Sequence, residues 1–104
     1  MNQGHKYQIT VIPIADDALG ATGTLAPLVF MHENHDDLAL VVERVRKSTG
    51  LDADSAAATA IGLKLLGEVI LKQRGNALFD ALRNPVREFI HTLKSLGARG
   101  ADRL

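Results

Sequence analysis

Six consecutive positions inside FMHENHDDLALVV, from His32 through Asp37, hold two imidazoles, three carboxylates and an amide. Imidazole nitrogens and carboxylate oxygens are common ligands for zinc and other divalent metals, and the same groups pass protons in general acid/base catalysis. His32, Glu33, His35 and Asp36 are therefore the candidate ligand-binding set, and His5 and His91 are the remaining histidines that folding could add. The spacing matches no known chemistry. In the helical zinc signature the two histidines stand four apart with a glutamate beside the first; here they stand three apart, where a strand separates side chains onto opposite faces and a helix brings them onto one. No catalytic residue, metal-ligand set or cofactor is assigned on this pattern.

A structural reading accounts for the same residues. Asn34 stands where an extended segment gives way to a helical one, and its side-chain oxygen can accept from the amide of Asp37 as an N-cap. Asp36 and Asp37 then fall in the first turn, where each carboxylate opposes the partial positive charge of the free amides by about 0.3–1 kcal/mol.

Both readings depend on the elements around the cluster. Lys6 to Ile14 (KYQITVIPI) alternates Tyr7, Ile9 and Val11 with Lys6, Gln8 and Thr10, the period of a strand with one apolar face. Pro13 cannot donate to a ladder, which puts it at the strand's end or on an edge. Ala15–Ala26 (ADDALGATGTLA) reads as a loop, and its glycine run ALGATGT lacks the lysine and the following helix of a phosphate loop. Residues 27–33 give a second strand, with Leu28, Phe30 and His32 on one side and Val29, Met31 and Glu33 on the other. The two strands are expected to pair as an antiparallel hairpin, which is marginal in water unless something covers it.

Three helices should follow. Leu38, Val41, Val42 and Val45 recur at i, i+3, i+4 and i+7, and Gly50 supplies a left-handed end. Asp52 or Asp54 caps a second helix that is apolar nearly all round, with Lys64 and Glu68 spaced as an i, i+4 pair. Gly62 and Gly67 inside it each cost about 1 kcal/mol relative to alanine, which predicts a neighbouring backbone close by. A short turn around Leu78, Phe79 and Leu82 precedes Asn84 and Pro85, read as cap and first-turn proline of a third helix whose stripe is Val86, Phe89, Ile90, Leu93 and Leu96. The fold class is α+β: a two-stranded antiparallel hairpin followed by three helices packed on one face of the small sheet. Residues 1–97 form a single domain, and 98–104 a frayed tail.

Composition narrows the function further. The chain has 104 residues, 46 % of them hydrophobic, and no cysteine, which removes disulfides, thiolate-bound zinc and a cysteine nucleophile. Twelve basic residues balance twelve acidic ones and the aromatics are three Phe and one Tyr, a poor basis for the phosphate neutralisation and base stacking that nucleic-acid binding requires. Neither the N-terminal MNQGHKYQ nor any later stretch has the apolar run of a signal or membrane span, so a cytoplasmic protein is expected, with no nucleic-acid or membrane partner. Arg83, Arg87, Lys94, Arg99 and Arg103 bias the C-terminal end toward positive charge, but Glu88 and Asp102 interrupt them as on a solvated face.

Taken together, HKYQITVIPI, FMHENHDDL, IGLKLLGEVILK and REFIHTLK resemble an uncharacterised family of small single-domain bacterial proteins classed as a domain of unknown function. The resemblance implies a bacterial origin and a small α+β domain, and it brings no activity with it. Two classes of function stay open: an interaction module that forms a homodimer or binds another protein, and a small metal- or ligand-binding protein or enzyme built on His32, Glu33, His35 and Asp36.

Overall fold

The computed structural model describes residues 4–14 and 26–102, the last five of these as backbone alone. Two strands precede three helices: β1 (His5–Val11), β2 (Leu28–Asn34), α1 (Leu38–Thr49), α2 (Ala53–Lys72) and α3 (Asp80–Asp102), with a 3-10 turn at Ala77–Phe79 leading into α3. This is the α+β order that the hydrophobic periods predict. The chain divides into two compact units, Met1–His35 and Asp36–Leu104. The expected loop lies, apart from Ala26, outside the described residues.

In the first unit, β1 and β2 pair antiparallel, with Tyr7 opposite His32, Ile9 opposite Phe30 and Val11 opposite Leu28. The two alternating patterns therefore share one face. A slip of one residue would turn either pattern over, so side-chain matching holds the register. Pro13 falls beyond the end of β1, where its missing N–H takes nothing from the ladder.

The helical unit is closed by polar caps. The Asp37 carboxylate accepts from the amides of Ala39 at 3.1 Å and Leu40 at 3.4 Å, and Gly50, at φ 74°, ends α1 in the left-handed conformation that glycine adopts without strain. Asp52 starts α2 by accepting from the Ser55 amide at 3.1 Å. Val45 on α1 packs with Ala56 and Ala60 on α2, one turn apart, and Val41 and Val42 close around them. Small side chains at those two positions let α1 lie close to α2, and α1 also packs against α3.

Several local expectations give way. Asn34 does not cap α1: it is still in the ladder, opposite His5, so the helix starts later, Asp37 takes the cap, and no acidic residue occupies its first turn. Gly62 and Gly67 meet no neighbour, since a Cβ built on either has nothing within 4 Å. Leu66, Val69 and Leu71 are exposed as well, so the second half of α2 is not the wrapped central helix its composition suggests. Lys64 also has a partner that its helix does not supply, Asp36 at 2.5 Å, and Glu68 meets Lys72 at 3.9 Å. Asn84 and Pro85 do not begin α3, which starts at Asp80 and carries Pro85 inside it, and Gly97 does not end it. The helix has already formed when it reaches the proline because Asn76 caps the preceding turn, accepting from the Leu78 amide at 3.0 Å.

Candidate functional site

Strand geometry distributes the clustered polar residues before any chemistry is considered. His32 and Asn34 are two apart on β2 and share a face, Glu33 points the other way, and across the ladder Tyr7 stands opposite His32 while His5 stands opposite Asn34. The His5 and Tyr7 rings stack with centroids 6.4 Å apart and planes inclined by 27°. His5, Tyr7, His32 and Asn34 thus form one polar end of the same sheet face whose other end is Ile9, Val11, Leu28 and Phe30.

Asn34 is the most enclosed polar residue described, with 1 % of its surface exposed. Its amide nitrogen lies 3.1 Å from Nε2 of the half-buried His32. With the amide as donor, Nε2 accepts and the ring proton sits on Nδ1. A buried amide without partners would cost about 1–3 kcal/mol, so this bond is one reason for a histidine at position 32.

On the opposite face Glu33 stands across from Lys6, an oppositely charged cross-strand pair. Its side chain lies over Gly4, where an added Cβ would come within 2.8 Å of Glu33 Cγ and Oε2. Lys6, Met31, His32 and Glu33 line an open hollow of about 280 Å³. His35 is exposed in the bend after β2, Asp36 is engaged by Lys64, and Asp37 caps α1. His91 is exposed on α3.

The cluster therefore resolves into separate local tasks. Of the candidate set, His32 and Glu33 both line the hollow, although their side chains leave β2 on opposite faces; His35 and Asp36 do not line it. Among the described residues, no three His, Asp or Glu side chains come together in a way that could hold a metal ion. Also among them, no helix is long and apolar enough to cross a membrane.

Arg83 has a role that its sequence neighbourhood does not announce. Its guanidinium donates to the carbonyls of Ile70 at 3.2 Å, Gln73 at 2.9 Å, Arg74 at 2.9 Å and Asn76 at 3.2 Å, and it lies 3.4 Å from Asp80 Oδ1. Ile70 lies in the last turn of α2, Gln73 is its C-cap, and Arg74 and Asn76 belong to the turn beyond, so a planar five-donor fork ties the end of α2 to the turn that leads into α3. The acceptors lie seven to thirteen residues upstream, and nothing in the local pattern distinguishes Arg83 from the solvated basic residues around it.

Comparisons with known proteins place the chain without assigning it an activity. A crystal structure of a protein of unknown function from Pectobacterium atrosepticum is similar, with a TM-score of 0.76 and 34 % sequence identity, covering 89 % of this chain and 99 % of that one. No curated protein of assigned function matches the sequence. Residues 5–95 match the domain of unknown function DUF3861, nearly the whole of the chain, and the protein belongs to that family.

Proposed function

We propose that this domain is an interaction module and that its first partner is a second copy of itself, bound through the hairpin. The observation that carries the reading is apolar surface: Met31 is 70 % exposed, Leu28 60 %, Val11 53 % and Val29 51 %, all on a sheet of two strands. Val11 and Leu28 stand opposite one another on one face and Val29 and Met31 neighbour on the other, so each face carries an exposed apolar pair, and among the described residues both strand edges are open, which is surface that another chain can cover. The formal net charge of zero leaves little long-range repulsion to oppose self-association. Sedimentation of the untagged protein across the micromolar range tests the reading. Twice the mass of one chain is expected, and a monomer throughout that range overturns it.

A second reading keeps a small ligand at the hollow, favoured by the lining of Lys6, Met31, His32 and Glu33. Native mass spectrometry on protein purified without chelators or nickel resin separates the two readings in one spectrum. Added mass that disappears on His32→Ala supports the ligand, whereas a bare dimer supports the interaction module.

A further inference from the structure

We infer that the second copy pairs along the free edge of β1, antiparallel, on a two-fold axis centred at Gln8. This inference rests on the self-association reading and specifies the contact. Among the described residues, each strand has a hydrogen-bonded neighbour on one side only, so either edge could accept another strand. The two edges are not equivalent. β2 ends in Asn34, which is already enclosed, whereas every residue of β1 is exposed or half-buried over its full length.

Self-pairing also suits the sequence of β1. An antiparallel pair related by a two-fold must place a residue opposite itself, and the face that each side chain occupies carries over from one copy to the other. Centred on Gln8, all seven residues of HKYQITV find a partner: Tyr7 faces Ile9 of the second copy, Lys6 faces Thr10, and His5 faces Val11. The aromatic and β-branched pairs lie on the face already shared by Tyr7, Ile9, Phe30 and His32, and that face runs on across both copies. Aromatic with β-branched is a favourable cross-strand combination, and no like charges meet. Moving the centre to Tyr7 or Ile9 leaves residues at one end unpaired, and a centre at Ile9 draws Pro13 against His5. The corresponding pairing along β2, centred on Met31, would set the enclosed Asn34 amide against Leu28 and the Glu33 carboxylate against Val29. The product is a four-stranded sheet in the order β2, β1, β1, β2, which replaces two marginal hairpins by one sheet.

The register makes a signed prediction at position 10. Thr10 is exposed and faces Lys6 of the second copy twice, once on each side of the axis. Thr10→Lys sets two pairs of like charges opposite one another and should raise the dimer dissociation constant about tenfold at low salt, with the effect shrinking as salt is added. Thr10→Glu should lower it by a similar factor. A folding defect would move both variants the same way, so opposite signs read the interface rather than the monomer. A second measurement uses the absence of natural cysteine. Residues opposite one another in an antiparallel pair have Cα atoms about 4.5–5.5 Å apart, within disulfide range. Gln8→Cys should therefore cross-link to a covalent dimer under mild oxidation, while Met31→Cys, the matching position on β2, should not. A wild-type monomer overturns the self-association reading and the pairing with it. A wild-type dimer in which Met31→Cys cross-links and Gln8→Cys does not, or in which both position-10 variants fold as stably as wild type and still shift the same way, overturns the β1 pairing and leaves self-association standing.

Discussion

The hairpin and the helical unit bury their residues in opposite ways. Every buried hydrophobic side chain described, Leu38, Val45, Ala56, Ala60 and Ile70, belongs to the helical unit, whereas the hairpin's buried residue is the polar Asn34. In the helical unit polar side chains act on backbone ends: Asp37, Asp52 and Asn76 cap starts, and Arg83 collects the carbonyls where α2 stops. In the hairpin polar side chains act on one another, through His32 and Asn34 or Gln8 and Thr10. Stability should accordingly come from different residues in each unit, and substitutions can separate them.

The largest effect is expected at the α2–α3 corner. Arg83→Ala removes donors to four carbonyls and should cost about 2–3 kcal/mol in urea denaturation, the range for hydrogen bonds made by a charged group. Arg83→Lys should recover less than half, because a single ammonium cannot span acceptors spread around a helix end. Full recovery by lysine would show that charge alone holds the corner. That would erase the difference between this arginine and its solvated neighbours.

In the hairpin the corresponding probe is His32. His32→Ala takes one partner from the buried Asn34 amide and should cost about 1–2 kcal/mol. His35→Ala, in an exposed bend, should stay within about 0.5 kcal/mol. Equal costs would mean that the two histidines act together, and would restore the ligand set that their sequence spacing suggests.

How far the sequence reveals the fold depends on the range of the interaction involved. Strand alternation around Tyr7 and Phe30, the stripe from Leu38 to Val45, and the left-handed turn at Gly50 are local, and local composition predicts them. The Asn34–Asp37 junction is also local but ambiguous, because two good capping residues stand three apart. The ladder decides between them by retaining Asn34. Lys64 with Asp36 and Arg83 with the carbonyls between Ile70 and Asn76 are set by tertiary placement, and neither spacing nor composition encodes them. Of the candidate site, sequence identifies the residue types and the alternation that sends His32 and Glu33 to opposite faces of β2, but not that the ladder continues to Asn34 and sets His5 and Tyr7 beside His32. The junction itself can be tested: Asp37→Ala should cost about 1 kcal/mol as a lost cap.

A smaller and opposite effect is expected on α2. Gly62→Ala places a methyl where nothing lies within 4 Å and should stabilise the chain by up to about 1 kcal/mol through helix propensity. If it instead weakens the dimer, a second copy approaches α2 at that glycine, and the contrast between a self-sufficient helical unit and a hairpin in need of cover fails.

The smallest effect concerns charge at a cap in the helical unit. The Ser55 hydroxyl and then its backbone amide hydrogen-bond to Asp52 and hold its carboxyl below the ordinary carboxylate range. Because the folded value lies below the unfolded one, the unfolded chain binds the proton more tightly. The contribution is complete above the unfolded pKa and is lost as pH falls through the folded one. Asp52→Asn keeps an acceptor at the cap but removes the charge, so its stability curve should lie slightly below wild type near neutral pH and converge with it in acid, once the folded carboxyl is protonated. Curves that stay parallel throughout the acid range would show that the cap acts through its oxygen alone. The caps of the helical unit would then serve its backbone by geometry, without help from charge.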